Sequence, residues 1–274
     1  MISGIEATRI DPAISPKPEA RIRLVDVHLA FGPQRVLRGV NLEIFSGETL
    51  VVVGRSGEGK SVLLKVIDGI LKPDKGEVWV EDQRIDTLPP RALNEFRRRI
   101  AMVFQGAALF DSMTVEENVA FPYRERRLLA DKSIRERVVE NLRRVHLVDP
   151  GVLRKKPAEL SGGMKKRVGV ARALSMEPEI ILWDEPTTGL DPVTADAIND
   201  LILEVQQSTH ATSVVVTHDM ASVFKVGNRV AMLNQGVIVY TGTVEETRET
   251  ENPMVSQFVQ GRAQGPLTEG LPVG

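Results

Sequence analysis

The sequence has no cysteine, which excludes a disulfide framework, a thiolate metal site and a cysteine nucleophile, and fits a reducing compartment. Long apolar runs are also missing: Thr49 to Val53 and Ile180 to Trp183 fall far short of the roughly 20 residues that span a bilayer. Nor does one sign of charge dominate. A formal net charge of −2 leaves no broad basic field for gripping nucleic-acid backbones. The basic triplets Arg97-Arg98-Arg99 and Lys165-Lys166-Arg167 read as solvated helix faces. The first residues carry Glu6, Asp11, Pro12, Pro16 and Pro18. They lack the basic-then-apolar layout of a signal peptide, so the chain is expected to stay where it is made. Residues 1–20 read as a flexible arm.

What is present suits one large α/β domain or two small ones: 274 residues, 42% hydrophobic and 26% charged. Ile22, Leu24 and Val27 begin a strand-rich stretch that continues through Val36 to Ile44. Thr49 to Val53, bounded by Gly47 and Gly54, has the pattern of a central strand covered on both faces. The spacing of Leu63, Leu64, Ile67 and Ile70 predicts a helix from Gly59 to about Ile70, and Gly76 to Val80 reads as a return strand. Helical patterns at 91–98, 114–120 and 132–146 suggest a mostly helical insert. Apolar strands follow at 180–184, 213–217 and 229–233. Strand alternating with helix implies a parallel sheet clothed on both faces. No internal repeat is visible.

Gly54-Arg55-Ser56-Gly57-Glu58-Gly59-Lys60-Ser61 fits the pattern G-x-x-x-x-G-K-[ST] between a strand and a helix. Glycines let such a loop wrap so that backbone N–H groups converge on phosphates, and the helix start aims its positive end at the same anion. Lys60 offers a point charge to the β- and γ-phosphates, and the Ser61 hydroxyl is a candidate Mg²⁺ ligand. Ile180 to Trp183 followed by Asp184-Glu185 places two carboxylates at the carboxyl end of an apolar strand. Asp184 is the candidate Mg²⁺ partner and Glu185 the candidate base for the attacking water. Taken alone, such a strand end is more often a solvated edge; the cradle reverses that reading. Leu160-Ser161-Gly162-Gly163-Met164 opens a further helix, which is either an ordinary N-cap or a second anion site.

The order of Gly54–Ser61, Gln105, Leu160–Met164, Ile180–Glu185, Gly189-Leu190-Asp191 and His218 resembles the ABC ATPase domain over about residues 21–245. The resemblance implies an α/β P-loop NTPase with a parallel core sheet, an antiparallel β subdomain and an α-helical subdomain at about 106–165, followed by a C-terminal extension, 246–274. It implies ATP bound by Gly54, Arg55, Ser56, Gly57, Glu58, Gly59, Lys60, Ser61 and Val62, with Phe31, where Tyr is usual, stacked on adenine. Ser61, Gln105 and Asp184 would serve Mg²⁺, and Glu185, His218, Gln105 and Lys60 would serve catalysis. Ser161, Gly162 and Gly163 would touch the γ-phosphate held by a second copy in a head-to-tail dimer, and Asp191 would link the two sites. Met164 stands where Gln is usual and removes a donor. Glu58 occupies a position that is often small or polar. His28, His146 and His210 have no such setting.

Gln105 to Pro122, the Lys165-Lys166-Arg167 run after the signature, and the tail from Asn252 to Pro266 are similar to the Mla/Mce-type bacterial lipid-transport ATPases. That resemblance implies a subunit on the cytoplasmic side of the inner membrane. Its partners would be a membrane permease, an envelope substrate-binding protein and sometimes a small cytoplasmic accessory protein, with no nucleic acid. A transporter ATPase for a polar solute and a non-transport ABC protein also fit the motifs. The apolar run Ala107–Phe110 reads as the contact to the permease or as core. Met254, Val255, Phe258 and Val259 share one face of a short helix, which either clasps a partner or docks on its own domain. Gly261, Gly265 and Pro266 predict an extended strip beyond it.

Overall fold

The computed structural model describes residues 19–126 and 130–268, so most of the expected arm lies outside the described residues. Strands β1 (Ala20–Phe31) and β2 (Gln34–Phe45) pair antiparallel, and β4 (Lys75–Val80) and β5 (Gln83–Arg84) extend them into a four-stranded sheet ordered β2-β1-β4-β5. The second sheet uses β3 (Thr49–Val53), β6 (Ile100–Val103), β7 (Ile180–Asp184), β8 (Thr212–Val216), β9 (Arg229–Asn234) and β10 (Val237–Thr243), ordered β10-β9-β3-β8-β7-β6. All its neighbours are parallel except the edge pair β10 and β9.

Every residue of β3, β7 and β8 is buried, as the continuous apolar runs require of strands covered on both faces. The side-chain alternation of β3 divides the interior. Leu50 and Val52 face a core shared with the antiparallel sheet and with α1 (Lys60–Ile67), while Val51 and Val53 face a core shared with the remaining helices. That second core gathers α3 (Val115–Glu125), α4 (Asp131–Arg144), α5 (Gly162–Leu174) and α6 (Pro192–Thr209).

Four expectations are corrected, the last of them in the tail. Helix α1 stops at Ile67, and Ile70 is exposed, because Gly69 turns the chain at φ 69° before Ile70 can join the apolar face. Strand β6, between α2 (Pro90–Phe96) and the helical subdomain, was not expected; four residues carry too little periodicity, and pairing with β7 defines it. The basic triplets are solvated only in part: Arg98 is exposed, but its neighbours and Lys166 are engaged. Arg99 bonds Glu179 and Glu81, Arg97 donates to the Asp68 carbonyl, and Lys166 is buried at 6% exposure.

Helix α7 (Met220–Val226) joins β8 to β9, and α8 (Val244–Arg248) and α9 (Pro253–Val259) follow β10 as the last helices against the core. Val255 is buried, and Met254, Phe258 and Val259 pack on the domain's own core, so α9 docks in cis. The strip expected beyond it turns back instead, burying Leu267, because the side chain of Gln257 supplies hydrogen-bond partners that the glycines do not.

Candidate active site

The three parallel strands β3, β7 and β8 end on the same side of the sheet, and each delivers one part of the site. Strand β3 runs into the glycine loop. Gly54 lies at φ 156°, where an added Cβ would come 2.3 Å from the Leu233 carbonyl oxygen, and Gly59 at φ 98° would meet Val36 at 2.8 Å. Only glycine fits either position, so the loop can curl tightly over the start of α1. Lys60 is the first residue of that helix, and its Nζ donates to the Gly54 and Arg55 carbonyls at 2.8 and 3.0 Å. Burial lowers its pKa, and the carboxylates of Glu185, Glu58 and Asp184 oppose that shift.

Strand β7 ends in the two carboxylates. Ser61 Oγ donates to Asp184 Oδ1 at 2.7 Å. Glu185 leaves the strand at φ 49°, in the left-handed region, and is held there by three contacts. Its N–H donates to the Val216 carbonyl at 2.9 Å, Thr188 Oγ1 donates to Oε2 at 3.0 Å, and His218 Nδ1 lies 2.9 Å from Oε2. Lys60 Nζ stands 3.9 Å from Glu185 Oε1. His218, just beyond β8, thereby carries one edge of its ring on the carboxylate.

A cleft of about 850 Å³ holds Phe31, Gly54, Lys60, Gln105, Glu185 and His218 together, with Arg55, Ser56, Gly57, Gly59, Ser61 and Val62 also along it. Three kinds of expected residue lie outside its lining, the first being Asp184, which is buried and bonded to the lining residue Ser61. The Glu58 side chain turns away to accept from the Gln235 backbone N–H, so that residue has only its backbone to offer a phosphate. Ser161, Gly162, Gly163 and Asp191 form a separate surface in which the glycines abut Leu190 and Thr194. Ser161 caps α5 by accepting from the Met164 N–H, while the Met164 side chain packs on the core. Asp191 caps α6, and the Thr194 hydroxyl that donates to it lowers its pKa.

Lys166 was missed. It reaches from α5 to donate to the carbonyls of both Gln105 and Glu185, at 3.3 Å for the latter, and burial lowers its pKa. Only its place within a basic triplet marked it in the sequence.

A phosphate loop, a hydroxyl paired with a strand-end carboxylate and a second carboxylate held by a histidine define a P-loop ATPase. The family model described as ABC transporter matches residues 37–188. The chain is 35% identical over 249 residues to an intermembrane phospholipid transport system ATP-binding protein of Escherichia coli, covering 91% of this chain and 92% of that one. It is 41% identical over 226 residues to a methionine import ATP-binding protein of Carboxydothermus hydrogenoformans, covering 82% and 66%. A dimeric, post-hydrolysis ATP-binding cassette bound to ADP and Pi superposes with a TM-score of 0.75 at 34% identity, covering 81% of this chain and 98% of that chain. The chain belongs to the ABC transporter ATPase family.

Proposed function

We propose that the chain hydrolyses ATP to drive phospholipid or other hydrophobic cargo through a separate membrane permease, working as a head-to-tail dimer on the cytoplasmic face of the inner membrane. The cargo reading is carried by the extent of the likeness. The phospholipid-system relative matches almost end to end, whereas the methionine-import relative is more identical over a shorter stretch and extends well beyond it. No helix among the described residues is long and apolar enough to cross a membrane, which fits the need for a permease. Affinity purification from gently solubilised membranes should recover a permease together with phospholipid. Recovery of a permease with a bound polar solute would refute the cargo.

Each part of the site has a task. The loop N–H groups and Lys60 neutralise the β- and γ-phosphates. Among the described residues no three His, Cys, Asp or Glu side chains could cage a metal. Ser61 and Asp184 instead present two adjacent oxygens, the small donor set that Mg²⁺ uses when phosphates complete its shell. Gln105, which lines the same cleft, would join that set. Bound there, Mg²⁺ would neutralise charge on the transferred phosphoryl group. Glu185 accepts the proton of the attacking water, and His218 orients the carboxylate. Ser161 to Gly163, away from their own cradle, supply donors to the γ-phosphate held by a second copy.

A further inference from the structure

One wall of the cleft belongs to no motif. Gln257, Phe258, Gly261, Arg262, Leu267 and Thr268 line it together with Phe31 and the phosphate loop. This part of the tail is built rather than loosely laid down. Gln257 is 3% exposed; its Oε1 accepts from the Leu267 N–H at 2.8 Å, and its Nε2 donates to the Arg262 carbonyl at 3.1 Å and to Thr268 Oγ1 at 3.3 Å. Gly265, at φ 150°, lets the chain pass so close that a Cβ would stand 2.6 Å from the Gln257 amide. Arg262 is steadied by donating to Ser256 Oγ at 3.0 Å. The folded turn is then tied to the phosphate loop itself, because Arg55 Nη1 donates to the Leu267 carbonyl at 3.1 Å.

The cradle's donors serve phosphates and leave a nucleotide's base and ribose to the rest of the cleft. Phe31, 48% exposed at the β1–β2 turn, offers one apolar face. An aromatic ring and a guanidinium plane are the side-chain surfaces on which planar bases stack irrespective of sequence. Phe258 and Arg262 bring one of each to the same cleft. We propose that residues 257–268 form the second wall of the nucleotide site, with Phe258 and Arg262 against the base and ribose of the bound nucleotide. The proposal rests on the reading of this cleft as the ATP site and assigns the tail a part in holding the substrate.

The test compares ATP with inorganic tripolyphosphate, which engages the cradle but has no base, by calorimetric titration of the full chain. Phe258→Leu keeps an apolar group on the core while removing the ring, and Arg262→Ala removes the guanidinium. Each should weaken ATP about tenfold, the scale of one lost stacking contact, and leave tripolyphosphate within about twofold. Unchanged ATP affinity in both variants overturns the proposal. So does an equal loss for ATP and tripolyphosphate, which would make the tail a prop for the loop, and so does tighter ATP binding, which would make it a plug. An unaltered chain that binds neither ligand would instead contradict the reading of the cradle.

Discussion

Glu185 holds a backbone conformation that costs a non-glycine residue roughly 1–3 kcal/mol, at φ 49° and fixed by Val216, Thr188 and His218. Strain so thoroughly tied down aims the carboxylate. Glu185→Gln should keep ATP binding and slow turnover by about 10²–10⁴-fold, measured as kcat against the Kd for ATP. Lys60→Ala should weaken binding and turnover together, since ground and transition states both lose the cation. Lys166 acts through others, joining the carbonyls of Gln105 and Glu185 from a third element. Lys166→Met should lower kcat about tenfold, the cost of leaving buried acceptors unpaired, with KM little changed. Lys166→Arg should restore most of the loss; equal failure of both variants would mark Lys166 as packing alone.

At the scale of elements, the loop after Gln105 divides the run that the sequence left as either contact or core. Ala107 is buried against Gly169 and Leu109 packs on the helical core, whereas Phe110 is 41% exposed between Phe121 and Arg172. The buried Asn118 pins this loop by bonding both the N–H and the carbonyl of Phe110. Phe110→Glu should therefore fold and hydrolyse ATP yet fail to support transport in the permease complex, while Leu109→Glu should lower the melting temperature. Helix α1 carries a second consequence. Asp68, its buried C-cap, has its pKa raised from 3.8 to about 7 by burial, with Arg97 opposing. The folded chain thus holds this proton more tightly than the unfolded one, so its contribution to stability is full below about pH 4 and is lost as pH rises through 7. Wild type should lose stability relative to Asp68→Asn between pH 5 and pH 8, read from paired thermal melts. The strands β3, β7 and β8 were legible because doubly covered strands must be unbroken apolar runs, and the glycine loop because its backbone admits nothing else. Strand β6 was not, since pairing rather than composition makes it a strand. The same holds for Lys166 and Gln257, whose partners lie 61 and 10 residues away in sequence.

For the whole molecule, the separation of the two surfaces proposed to meet phosphate matters most. The cleft gathers Lys60, Ser61, Glu185 and His218, while Ser161 to Gly163 sit apart beside Leu190 and Thr194. On the proposed reading one chain carries one cradle and one detached set of donors, and two chains placed head to tail would use both twice. The cassette that superposes on this chain is dimeric with ADP and Pi bound. Sedimentation of Glu185→Gln, which should hold ATP without consuming it, tests this directly. The account predicts a monomer without nucleotide, a dimer with ATP and Mg²⁺, and loss of that dimer when Ser161→Arg is added. A double variant that still dimerises with ATP, or a Glu185→Gln chain that binds ATP and stays monomeric both alone and with its permease, would contradict it.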